Sequence, residues 1–93
     1  MFVNMGFATP RPGKEKELAE TMRSFGKALE GMPGLLDAFV LAESDGKTLV
    51  GVSLWQDRAS FEAAMKKVRP PAPSEPPEQM RATPPTIRQF ESV

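Results

Sequence analysis

Bulk alternates along the opening of the chain. In Phe2–Ala8 the odd positions Val3, Met5 and Phe7 are large and apolar, while Phe2, Asn4, Gly6 and Ala8 are mostly small. A period of two marks a strand with unlike faces, and Pro10, Pro12 and Gly13 stop it. From Lys14 to about Gly31 the period changes. Leu18, Met22, Phe25, Leu29 and Met32 follow spacings of 4, 3, 4 and 3, with Glu15, Lys16, Glu17, Glu20, Arg23, Lys27 and Glu30 on the other side. That pattern predicts an amphipathic helix with one apolar stripe. Gly31 and Pro33 predict its end.

Leu35–Glu43 and Thr48–Trp55 flank Ser44-Asp45-Gly46-Lys47, and Asp-Gly between two apolar runs is a hairpin signal. A two-residue turn at Asp45-Gly46 sets Leu41 opposite Val50, Phe39 opposite Val52, Val40 opposite Gly51, Ala38 opposite Ser53 and Leu36 opposite Trp55. Sorted by face, Phe39, Leu41, Val50, Val52 and Leu54 make one bulky side. Leu36, Ala38, Val40, Ala42, Leu49, Gly51, Ser53 and Trp55 make a second side, mostly small with one indole. A second helix follows, with Asp57 as N-cap and Phe61, Ala64, Met65 and Val68 at helical spacing. Lys66, Lys67 and Arg69 complement the C-terminal end of its dipole. Thr86–Val93 alternates weakly and reads as a closing strand.

The order β-α-β-β-α-β predicts an α+β, ferredoxin-like subunit with an antiparallel four-stranded sheet. Right-handed crossovers are expected to bring the first and third strands together as parallel central neighbours. Both helices are expected over the bulky face. The small face, with Phe2, Leu36, Val40, Leu49 and Trp55, would then be too apolar to stay wet. A second copy packing sheet to sheet would cover it and close an α/β barrel whose interior is lined by small residues.

Composition narrows the chemistry. Twelve basic and twelve acidic residues cancel, which argues against nucleic acid or a membrane surface held by charge. The chain has no His, Cys or Tyr, which excludes a conventional zinc site, a thiol nucleophile, a Ser-His-Asp triad and disulfides. No stretch approaches the length of a membrane span. The expectation is one cytoplasmic domain, 1–93, with no metal. Seven of ten prolines lie between Arg69 and Thr86. The 69–85 stretch is read as a stiff connector in preference to a PxxP ligand. Ser74 ahead of Glu75-Pro76-Pro77-Glu78 can start one helical turn over Glu78–Arg81, which would act as a lid if it lies over the barrel mouth.

Two motifs carry a resemblance. Met32-Pro33-Gly34-Leu35 opens the second strand, and Leu54-Trp55-Gln56-Asp57 followed by Phe61 crosses from the third strand into the second helix. With the opening Met1-Phe2-Val3-Asn4-Met5, these resemble the antibiotic biosynthesis monooxygenase-like domains of the dimeric α/β-barrel superfamily, over about Phe2 to Val68. The resemblance implies a homodimer and, in one branch, oxidation of polyphenols without metal or flavin. In the haem-degrading branch it implies a strand-one Asn, a strand-three Trp and an iron-ligating His. Asn4 and Trp55 match the first two roughly; the His has no counterpart.

The site residues expected on this basis are Asn4 and Trp55 as catalytic groups, with Phe2, Gly6, Leu36, Gly51 and Ser53 lining a pocket for a planar aromatic ligand. Each has a plainer reading. Trp55 is preferred as a core anchor, with Ser53 too near in sequence to be an obvious partner for its N–H. Asn4 orients a substrate carbonyl or dioxygen, or makes an interface hydrogen bond. Arg88 is preferred as a solvated edge charge. Met5, Met22 and Met65 are placed in the helix-sheet core, and Met80 is the one mobile thioether. No cofactor is expected. Two classes stay open: a cofactor-independent monooxygenase, and a non-catalytic small-molecule-binding or structural module.

Overall fold

β1 (Phe2–Ala8) is a central strand of a four-stranded sheet, flanked by β3 (Leu49–Trp55) and β4 (Thr86–Glu91), with β2 (Leu35–Ala42) on the far side of β3. Helix α1 (Glu15–Ala28) connects β1 to β2, and α2 (Arg58–Lys67) and the single turn α3 (Pro77–Met80) lie between β3 and β4. The computed structural model describes every residue except Ser74. The α+β, ferredoxin-like architecture is as the sequence predicts, but one pairing is not. β1 and β3 run antiparallel, from Phe2 opposite Trp55 to Ala8 opposite Leu49. The parallel strands of the β1-α1-β2 unit are β1 and β2. A hairpin folds β3 back between them, so β3 opposes both.

The helices cover the small face. Phe2 and Trp55 are fully buried with Leu29, Ala64 and Val68, and Phe61 and Met65 pack against them. Ala8 and Leu49 are buried with Leu18 and Met80. A side chain at Gly51 would touch the Met22 terminal methyl, and one at Gly26 would approach the Ala38 Cβ. Small sheet residues are what let α1 come close; the helix supplies the bulk itself. The expected assignment is therefore inverted, and Val3, Met5, Phe7, Phe39, Leu41, Val50, Val52 and Leu54 form the side away from the helices. Met5 belongs to that side and not to the core. Phe39, Leu41 and Phe90 remain 38%, 50% and 42% exposed there. Phe25, on the α1 stripe, is exposed as well.

Two details set the register. A β-bulge between Leu35 and Asp37 places Leu35, not Leu36, opposite Trp55, and leaves Leu36 exposed. The hairpin turn is wider than two residues. Glu43 N–H donates to Thr48 at 2.8 Å, Gly46 N–H donates to Glu43 O, and the Asp45 carboxylate accepts from Lys47 N–H. Because the loop is still centred on Asp45-Gly46, the remaining expected pairs from Ala38–Ser53 to Leu41–Val50 hold.

The Pro-Gly motif has a packing cause. Gly34 has φ +85°, and a Cβ there would collide with Ser60 in the first turn of α2. Its carbonyl accepts from Gln56 N–H at 2.8 Å, tying the start of β2 to the end of β3. Only a residue without Cβ fits this crossing.

Beyond Val68 the proline-rich segment returns along β1. Pro77 occupies the first helical turn of α3, where its missing N–H costs nothing. Met80 is buried, Arg11 N–H donates to Met80 O, and Ala82 N–H donates to Thr9 O, each at 2.8 Å. The turn starts one residue before the expected Glu78, and Ser74, which was expected to lead into it, lies outside the described residues. The Met80 thioether is buried among Ala8, Leu18 and Leu49, not free at an open mouth. It is the plug between α1 and the end of β1, with Thr21 Oγ1 donating to Sδ at 3.6 Å.

Candidate functional site

Six of the seven expected site residues fall into three settings, and Leu36 stands apart from them. The first is a closed aromatic block. Trp55 and Phe2 face each other across β3 and β1, and the Phe61 ring stands 5.0 Å from Phe2 and 5.9 Å, edge-on, from Trp55. Each aromatic hides roughly 150–250 Å² on burial. The Trp55 N–H donates to Ser53 Oγ at 2.9 Å. The sequence separation that made this partner seem too near places it well, because i and i+2 share a strand face. Neither Trp55 nor Phe2 offers a free ring face in this conformation.

The second setting is Gly51, whose space is taken by Met22. Leu36 is set apart from all the others by the bulge and points to no common site.

The third is half open. Asn4 and Gly6 lie on the helix side of β1, next to β4. Helix α1 lies over β2 and β3, and α2 over β3. The helix-side residues of β4 are left in solvent, with Ile87 57% exposed. The Ile87 terminal methyl leans over Gly6. Beside it Gln89 Nε2 donates to Asn4 Oδ1 at 3.1 Å. Arg58, at the start of α2, donates from Nη1 to Gln89 Oε1 at 3.4 Å and from Nε to Glu91 at 3.2 Å. Its guanidinium also lies 4.8 Å from the centroid of the Phe2 ring, a cation–π contact. Asn4, Gln89, Arg58 and Glu91 thus form a continuous polar edge above the aromatic block.

Gln89, Arg58 and Glu91 were not legible as a group. The connector before β4 hides that strand's register, and only the pairing of Asn4 with Gln89 aligns them. Arg88, by contrast, faces the other side, beside Met5, with its guanidinium 5.2 Å from the Phe90 centroid.

The perturbed charges are peripheral to this edge. Hydrogen bonds from the Ser60 side chain and backbone hold the Asp57 carboxyl below the usual carboxylate range, in keeping with its cap of α2. The Glu75 carboxylate, 2.8 Å away, raises the Lys14 ammonium. Among the described residues no three His, Cys, Asp or Glu side chains gather at metal-binding range. Haem fits poorly. The chain has no His, and the Met80 thioether is buried among Ala8, Leu18 and Leu49.

The model of the antibiotic biosynthesis monooxygenase family matches residues 1–70, from β1 through α2. The chain belongs to that family. Solved structures share its fold at low identity. A conserved protein from Methanosarcina mazei superposes with a TM-score of 0.78 at 13% identity, covering 99% of this chain and 92% of that one. Rv0793 of Mycobacterium tuberculosis gives 0.75 at 12%, covering 99% and 94%. A variant of SnoaB, a cofactor-independent oxygenase from Streptomyces nogalater, gives 0.75 at 15%, covering 98% and 91%. No curated protein sequence matches the chain. No helix among the described residues is long and apolar enough to cross a membrane.

Proposed function

We propose that this family member is a small cofactor-independent monooxygenase of planar phenolic substrates, acting at the half-open edge of β1 and β4 as a homodimer. The observation that carries the reading is the family match over 1–70, which includes Asn4 and the Trp55 motif. The likeness to SnoaB, an oxygenase that uses no cofactor, supports the second half of the description. The bare side of the sheet, with Phe39, Leu41 and Phe90 exposed, supports the dimer.

In such a reaction the substrate supplies all the electrons. A phenol loses its hydroxyl proton, and the ring carbon para to the oxygen bonds to one atom of dioxygen. The resulting peroxide loses water as the ring C–H proton leaves. A phenol and one O₂ thus give a quinone and one H₂O. Two oxygen-centred charges arise on the way, the phenolate and the peroxide. A neutral donor fixed beside them lowers both, and Asn4 is the group on this edge able to do so. Trp55 and Phe2 then act as the rigid floor that holds the edge in place, and Ile87 over Gly6 sets the width available to a flat ring.

Oxygen uptake over a panel of quinone-forming phenols tests the reading. Uptake that vanishes in Asn4→Ala, with quinone and water as products, supports it. Binding of those phenols without uptake favours the second reading, a small-molecule-binding module, which the complete burial of Trp55 itself favours.

A further inference from the structure

Arg58 can only donate hydrogen bonds. Any side chain that meets its guanidinium must therefore present an acceptor, and Gln89 does so with Oε1 at 3.4 Å. With Oε1 committed, the other end of the Gln89 amide is Nε2, which also can only donate. It meets Asn4 at 3.1 Å, and there the acceptor is Oδ1. A donor-only residue at one end of the row thus dictates the orientation of both amides, a matter that atom positions alone leave to the hydrogen-bond network. What remains at the far end is Asn4 Nδ2. Among the described residues it has no hydrogen-bond partner, and it is not one of the fully buried unpartnered atoms, on a side chain that is itself half-buried.

We propose that Arg58 and Gln89 are positioning residues that lock Asn4 as a donor, so that its Nδ2 hydrogens face the ligand and select an oxygen acceptor: a quinone or ketone carbonyl, a phenolate or a peroxide. The inference rests on the reading of Asn4 as the ligand-orienting group and adds the polarity of that group and its source. Glu91 completes the device. It accepts from Arg58 Nε at 3.2 Å, which fixes the guanidinium plane so that Nη1 points at Gln89. Arg58 is in turn seated by its contact with the Phe2 ring, so the buried aromatic block is linked to the polar edge. Without Arg58 the Asn4–Gln89 pair is free to invert, and Asn4 would offer either end.

The experiment is side-chain amide NMR on the full-length ¹⁵N-labelled protein. In the wild type the Gln89 Nε2 protons are expected to exchange with water several-fold more slowly than those of Asn4 Nδ2. Gln89→Glu removes the donor that Asn4 Oδ1 accepts from, while keeping an acceptor for Arg58. The Asn4 amide must then turn, and its protons become the protected pair and move downfield. Arg58→Met keeps an apolar contact with Phe2 and abolishes the difference in exchange. A naphthoquinone titration is expected to shift Asn4 Nδ2 in the wild type and not in Gln89→Glu. Slower exchange at Asn4 than at Gln89 in the wild type, or unchanged Asn4 signals in a folded Gln89→Glu, overturns the proposal. If the exchange pattern holds but no quinone or phenol binds, the locked amide stands and the oxygenase reading falls.

Discussion

The Trp55 indole N–H donates to the hydroxyl of Ser53, two residues earlier on the same strand, at 2.9 Å and out of reach of solvent. One short side chain thereby satisfies the only polar atom of the largest buried one. Without it the anchor would carry an orphan donor into the core, at a cost of about 1–3 kcal/mol.

Ser53→Ala is accordingly expected to destabilise the fold by about 1–3 kcal/mol, read from the denaturant midpoint with an unchanged slope. Trp55 emission should remain blue and resistant to iodide, because the ring stays buried while its partner is lost. A wild-type midpoint in the variant would mean that the hydrogen bond contributes nothing.

The side of the sheet away from the helices predicts self-association. Sedimentation equilibrium on the wild type should give a dimer, and Phe39→Glu combined with Leu41→Glu should give a folded monomer. Both residues are exposed in the isolated chain, so the charges are tolerated there and penalised only against a second sheet. A wild-type monomer at micromolar concentration refutes the barrel.

Gly34→Ala is expected to cost more than about 1 kcal/mol, since it adds a left-handed backbone penalty to a collision with Ser60. Pairing it with Ser60→Gly should recover part of the loss, leaving the backbone portion. Full recovery would assign the whole effect to the collision, and none would assign it to φ alone.

The pH profile of stability should show the Asp57 cap on its acid side. Its folded value is lowered, so its contribution is complete above the ordinary value of 3.8 and is lost as pH falls through the folded one. Asp57→Asn keeps a capping oxygen that does not titrate, and its melting temperature should vary less with pH in that range. At the alkaline end Lys14 behaves oppositely. Its raised value makes the Glu75 contribution complete below 10.5 and lost as pH climbs past the folded value. Both groups are exposed, so added salt should shrink both effects. A matching acid slope in Asp57→Asn would remove the cap from the account.

Haemin titrated into the purified protein should give no saturable one-to-one Soret shift, and ascorbate should yield no biliverdin-like product. Met80→Ala should instead act on stability, with a loss of about 2–5 kcal/mol as expected for a buried methionine. A stoichiometric shift abolished by Met80→Ala would show that the thioether leaves its seat.

Periodicity alone located most of the elements, because strand and helix periods are properties of neighbouring positions. Phe2–Ala8 and the Asp57-capped helix appear where that local pattern places them. Pairing across the hairpin was legible for the same reason, since the turn centre sets it. The Leu36 bulge was not, because an extra residue in one strand has no local signature here, and it shifted one expected site residue out of place. The register of β4 stayed hidden behind the proline-rich connector, and with it Gln89.

What only the tertiary structure decided is which side of the sheet the helices occupy. Alternation separates two faces but does not say which one is covered, and size alone assigns the helices to the large side chains. The opposite holds because packing fills a fixed volume from both sides. Where α1 lowers Met22 onto Gly51, the sheet is small because the helix is large, and at the other end α2 lowers Phe61 against Phe2 and Trp55 to close an all-aromatic block. The aliphatic face is the one the helices leave uncovered, with Phe39, Leu41 and Phe90 exposed on it. Side-chain sizes along one strand cannot reveal that sum, since half of its terms belong to other segments of the chain.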